Sequence, residues 1–301
     1  MPGSRFARAS AALALALVAP LILARPLYAQ GNGNGNKNNK GNGNGSGHQS
    51  SPPSSSPLPN PSAGPAAGAV TPLAWLDDAT VLTPGSASLT ISTARWSGAD
   101  LSEFDFPIVE AAVGLAPRFQ IGASVPHIVG SADGTGPIGG MGTSYIASKI
   151  ALLTSRSGVK LAASPVLEVL GDNAVQALPA GANRTRFGLP VNIEIPQGAA
   201  RLFASGGFFS QGVWFAGGGL SVQATPRVGA TVSITRSWAN DTATGVIRDR
   251  RELSGSSSFF LTPNLAVYGA LGRTIATSDD NGAGTTISGG LSILFSGSVR
   301  K

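Results

Sequence analysis

Eight charged residues, Glu110, Lys149, Lys160, Glu168, Arg184, Arg186, Glu194 and Glu252, stand in stretches where apolar and small residues alternate. A period of two sends successive side chains to opposite faces of a strand, so these charges fall on the face carrying Ser, Thr and Gly. Rings of charge on such a face could filter solutes. Arg or Lys paired with Glu could equally fill and stiffen a narrow interior, and the spacing leaves both open. Other chemistry has fewer parts. His127, with Ser124 or Ser131, would have to build any Ser-His-acid site, but no spacing matches a nucleophile motif. His48 lies in a Gly/Asn-rich stretch. Asp133-Gly134-Thr135-Gly136 and Asp279-Asp280-Asn281-Gly282 could offer oxygens to calcium, yet the same residues make ordinary turns. No catalysis, cofactor or metal site is expected.

The elements that must position the eight charges are strands near 86–96, 108–116, 118–126, 143–153, 158–169, 184–195, 200–210, 213–224, 227–237, 250–261, 264–274 and 285–296. Most have the roughly 9–11 residues that a tilted strand needs to cross a bilayer. Phe187, Leu189, Val191, Ile193 and Ile195 share one face of the sixth, and Arg186, Asn192 and Glu194 the other. Their connectors alternate in kind. Ala116-Pro117-Arg118, Ile195-Pro196-Gln197-Gly198, Thr225-Pro226-Arg227 and Thr262-Pro263-Asn264 are tight, and those between are mostly longer and rich in Gly, Asp, Asn and Ser. Gln211-Gly212 breaks that rule by being short.

A soluble sheet sets large apolar residues against charged ones; here the polar face is mostly Ser, Thr and Gly. The pattern predicts an all-β protein, a transmembrane antiparallel β-barrel of about 12 strands. Aromatic belts are expected at Trp96, Phe208, Phe209, Trp214 and Trp238 toward one rim and at Phe119, Phe203, Phe259 and Phe295 toward the other.

Ahead of the barrel, Arg5 and Arg8 precede an apolar run from Ala11 to Ala24, and Leu27-Tyr28-Ala29 follows it. Residues 1–29 read as a secretory signal peptide. Residues 30–83 read as a disordered linker of Gly/Asn and Pro/Ser repeats, too poor in apolar surface to offset the entropy of folding. Within it, Leu73-Ala74-Trp75-Leu76 could pack on the barrel rim or enter the lumen as a plug. Residues 84–301 are the barrel. The chain has no Cys, hence no disulfide framework and no lipid attachment at a Cys. Removing Arg5, Arg8 and Arg25 with the signal takes the net charge of +6 to +3, spread too thinly for nucleic acid.

The stretch Arg118–Leu153 resembles a family of outer-membrane barrels associated with transport and with the MetA pathway of phenol degradation. The shared run is Pro117-Arg118, Val125-Pro126, Gly139-Gly140-Met141-Gly142 and Lys149, with similar turns at Thr225-Pro226 and Thr262-Pro263. Thr143 stands where that family carries an acidic residue. The resemblance implies a bacterial outer-membrane barrel handling small organic molecules.

The expectation is a passive outer-membrane channel or transporter for small solutes, hydrophobic or aromatic ones by resemblance, with both termini periplasmic. Its partners would be outer-membrane lipid, the solutes and, during biogenesis, the barrel-assembly machinery. A closed barrel that only anchors or displays, and an esterase built at the rim, are the alternatives.

Overall fold

The computed structural model describes residues 78–98, 101–132, 136–154, 158–171, 183–210, 212–239, 249–278 and 283–296. The signal peptide, nearly all of the linker, and the loop residues Asp133–Thr135, Gln211 and Asp279–Gly282 lie outside them. Fourteen strands follow one another: β1 (Ala87–Ser97), β2 (Leu101–Ala116), β3 (Phe119–Ala132), β4 (Gly136–Met141), β5 (Ser144–Leu153), β6 (Lys160–Ala163), β7 (Val166–Val169), β8 (Thr185–Gln197), β9 (Ala200–Phe209), β10 (Val213–Thr225), β11 (Val228–Ala239), β12 (Asp249–Thr262), β13 (Leu265–Thr277) and β14 (Thr285–Phe295).

They make twelve staves, because two staves are each interrupted once. β4 and β5 both pair with β3 and are parted at Gly142-Thr143. β6 and β7 both lie between β5 and β8 and are parted at Ser164-Pro165, where proline cannot donate to the ladder. The last stave returns to the first, from Ala87↔Phe295 to Ser97↔Thr285, so the antiparallel sheet closes on itself; β4, at the loop end, pairs with β3 alone.

The expected strands are present, with two extensions. β2 begins at Leu101 and not near 108, and β3 runs on to Ala132 to pair with the added strand β4. The connection between β1 and β2 is therefore shorter than the gap between the expected strands 86–96 and 108–116. Tight turns gather at one end of the barrel, the turn end, together with the start of β1 and the end of β14; the loop end is opposite. The short β9–β10 connector does sit at the loop end, where Phe209 faces Val213 and Gly212 takes a φ of 81°.

Two faces follow from the period of two. Ile91, Ile150, Leu167, Phe187, Val191, Ile193, Leu202, Leu220, Val232, Ile234, Leu253, Leu271 and Ile287 are exposed on the outside. Their neighbours Ser92, Lys149, Glu168, Arg186, Asn192, Arg201, Ser221, Thr231, Glu252 and Ser288 are buried inside. An apolar outside around a polar inside inverts the arrangement of a water-soluble domain. It suits a wall whose outer face meets hydrocarbon and whose backbone pairs in a closed sheet.

Three members of the expected aromatic belts do not face outward. Trp96 is buried, with the Arg250 guanidinium 6.0 Å from its ring. Phe203 shares its face with Arg201, which lies 5.5 Å from the ring, and Phe209 packs against buried Tyr145 and Val166. All three occupy the inward phase of their strands, so their nearness to strand ends was a poorer guide than the parity of their positions.

Candidate functional site: the lumen and the segment that crosses it

The described chain begins at Asp78, within the stretch read as linker, and residues 78–86 are bonded to the barrel interior at the turn end. Next to β1, the backbone of this segment lies on β2: Gly85 N–H donates to Gly114 O at 2.8 Å, and Gly114 N–H to Ser86 O at 2.9 Å. A Cβ at Gly114 would collide with the carbonyl oxygens of Leu82 and Thr83, so the close passage requires glycine. Farther back along the segment, Leu82 N–H donates to Gln120 Oε1 at 2.8 Å on β3. Lys149 Nζ on β5 donates to Thr80 O at 3.4 Å, and Lys160 Nζ on β6 to Thr80 Oγ1 at 3.0 Å. Thr80 Oγ1 in turn donates to Glu194 Oε2 at 3.3 Å on β8. Asp78, at the far point, forms an ion pair of 3.5 Å with Arg201 on β9.

β9 is the seventh stave in a ring of twelve and β1 the first, so the segment's bonds, to β2, β3, β5, β6, β8 and β9 in turn, reach from one side of the bore to the other along one half of the ring. An extended chain of nine residues reaches about 30 Å, enough for that span.

The far wall holds an ion network. Glu194 binds Lys160 Nζ at 2.8 Å and Arg201 Nη1 at 3.1 Å, and Asp78 closes the set from the segment side. Asp78, Lys149, Glu194 and Arg201 are all buried. Charges so placed have lost water and hold together only through one another, so removing one member leaves the others uncompensated. Burial pushes the Asp78 carboxyl up, but the Lys149 and Arg201 charges, the Thr80 N–H bond and a hydrogen bond shared with Glu194 outweigh it. The carboxyl is held below its ordinary 3.8.

Above this network the bore carries a second polar group. Tyr145 Oη donates to Glu168 Oε1 at 2.7 Å, and Arg186 Nη1 lies 3.7 Å from Glu168 Oε2. Asn192 Nδ2 donates to Ser164 Oγ at 3.3 Å, at the break between β6 and β7. Glu110, buried on β2, accepts from Ser124 Oγ at 3.5 Å, and Glu252 is buried on β12.

The eight charges read from the sequence thus fall into three places. Lys149, Lys160 and Glu194 meet the crossing segment. Glu110, Glu168, Arg186 and Glu252 line the bore above it. Arg184 is exposed at the loop end, its Nε donating to Leu170 O at 2.9 Å. Asp78, Arg201, Gln120 and Tyr145 complete these groups and were missed. Arg201 shares the inward phase with Phe203 and Ser205, a parity that could have found it; Asp78 had no such signal. His127 lies within β3, exposed and out of phase with buried Ser124 and Pro126, away from the polar interior. Among the described residues, no cluster of His, Asp or Glu could hold a metal ion.

No protein-family model and no curated protein sequence matches the chain. Solved structures share its architecture, two of them outer-membrane channels. The "COG4313 outer membrane channel from Pseudomonas putida F1" aligns with a TM-score of 0.57 at 14% identity, over 72% of this chain and 98% of that one. The NanC porin aligns with a TM-score of 0.51 at 11% identity, over 68% and 98%. At such identities the likeness is one of fold. The chain has the closed antiparallel barrel seen in outer-membrane channels.

Proposed function

We propose that the chain is a passive channel for small solutes in a bacterial outer membrane, with the turn end and both termini toward the periplasm. The observation that carries this reading is the polar interior of an apolar-faced closed barrel, with a bonded segment of chain laid across its turn end. An even number of staves returns the chain to the end at which it entered, so the N-terminal segment has direct access to that end. The resemblance to the phenol-pathway barrels favours small hydrophobic or aromatic solutes. In this reading Glu110, Glu168, Arg186 and Glu252 contact the solute, while Lys149, Lys160 and Glu194 hold the segment in place. Arg184 stands at the mouth.

Liposome swelling tests it. Proteoliposomes of the full chain and of a chain lacking residues 30–83 are challenged with small sugars and small aromatic acids. Faster entry than in empty liposomes, greatest for the shortened chain, is expected. No entry through either protein would overturn the channel reading and favour a barrel that anchors or displays. That second reading draws its own support from the crossing segment, which would serve a closed barrel equally well.

A further inference from the structure

Among the described residues, the outward face of the strands carries charge at one level only. Arg95 on β1, Arg236 on β11, Arg251 on β12 and Arg273 on β13 point outward toward the loop end, with Asp249 as the single carboxylate among them. Arg236 and Arg273 lie ten residues beyond Pro226 and Pro263, the prolines of their turns. At about 3.3 Å per residue and a tilt near 40°, that is roughly 25 Å up the axis, the upper edge of a membrane barrel's apolar band.

Among the described residues, Asp249 bridges two of the four. It takes a two-point bond from Arg236, with Nε at 3.0 Å and Nη2 at 2.9 Å, and lies 3.9 Å from Arg251 Nη2. Arg236 and Arg251 are direct cross-strand partners, so two guanidinium charges share this one carboxylate.

Directly beneath this pair the wall is hollowed. An apolar groove of about 490 Å³ runs between β8 and β12, with Leu202, Leu220, Ile234 and Leu253 as banks and Ala204 and Gly218 as floor. Ile234 and Leu253 stand two residues below Arg236 and Arg251 on the same outward columns, and are themselves cross-strand partners. Ala216 and Gly206 leave the surface beside Arg236 bare, and Trp238 walls it above, its ring 5.2 Å from the Arg236 guanidinium.

A pair of guanidinium groups above an apolar channel matches a phosphate head above an acyl chain. We propose that this face is a binding site for a phosphorylated glycolipid of the outer leaflet. Its phosphate sits on Arg236 and Arg251, an acyl chain lies in the groove, and Arg273 and Arg95 continue the contact around the wall. The proposal rests on the loop end facing outward. It is independent of whether the bore conducts, so its failure and that of the channel reading are distinguishable.

The test is native mass spectrometry of the detergent-purified full chain with bisphosphorylated lipid A, the same lipid dephosphorylated, and phosphatidylglycerol. Retention of bisphosphorylated lipid A above the other two is expected. The variant carrying Arg236→Gln and Arg251→Gln should retain roughly tenfold less, as the loss of two partly exposed charge contacts would give. Ala204→Leu, which fills the groove and spares the arginines, should lower retention as well. Heat-modifiable migration confirms that each variant is a folded barrel. Equal retention of all three lipids, or no loss in the double-Arg variant, would overturn the proposal.

Discussion

Arg201 stands between two carboxylates that belong to different parts of the molecule. Its Nη1 lies 3.1 Å from Glu194 Oε2 on the neighbouring strand and 3.5 Å from Asp78 Oδ2 on the segment that crosses the bore. The first contact stays within the wall, and the second joins the wall to the segment that precedes β1. Asp78→Asn keeps the shape and removes the charge. Buried pairs of this kind cost a few kcal/mol to break, so the segment should leave the bore roughly ten- to hundredfold more often. Single-channel recording should show a higher open fraction, with the same barrel migration on gels.

Acid should do the same, in a narrow range. The latched Asp78 has a pKa below its ordinary value, so its contribution is fully present above that ordinary value. It is lost as pH falls through the latched pKa, below 3.8. Conductance should therefore rise only below about pH 4 and stay flat from pH 5 to 8. A midpoint within pH 5–8 would show that another group controls the segment.

Gly114 offers a route to the same end without altering charge. Gly114→Val places side-chain atoms where the Leu82 and Thr83 carbonyls lie, and the segment must lift away. Increased cleavage by a protease near residues 78–86 is expected, with little change in barrel stability.

Tyr145→Phe tests the second polar group. It removes the 2.7 Å bond to Glu168 and leaves that buried carboxylate with Arg186 at 3.7 Å. A buried acceptor deprived of a donor costs about 1–3 kcal/mol, to be read from urea unfolding of the barrel in lipid vesicles.

Val232→Arg tests the outer face. Val232 is exposed on β11, six residues beyond Pro226, about halfway up the apolar band. A cation there should cost about 2–4 kcal/mol in lipid, again by unfolding in vesicles. An unchanged midpoint would argue that this face does not meet hydrocarbon.

The fold was largely legible because the period of two runs through nearly every strand. In β8 it separates Phe187, Val191 and Ile193 outside from Arg186, Asn192 and Glu194 inside. It failed where a strand departs from alternation: the irregularity between Asp105 and Ile108 on β2 hid seven residues of that strand. The charged bore residues were legible one by one, but their partners were not, since parity says that Lys149 points inward and not what it meets. Asp78 was hidden because its place is set by contacts with β5 and β9, and its own neighbourhood resembles linker. Trp96 and Phe203 were misplaced because position along a strand was weighted above parity.

If the bore conducts, residues 78–86 obstruct it. Planar-bilayer recording compares the full chain with the chain lacking residues 30–83. Small or rare steps for the full chain and large, steady steps for the shortened one are expected. Equal currents from both, or none from either, would contradict it.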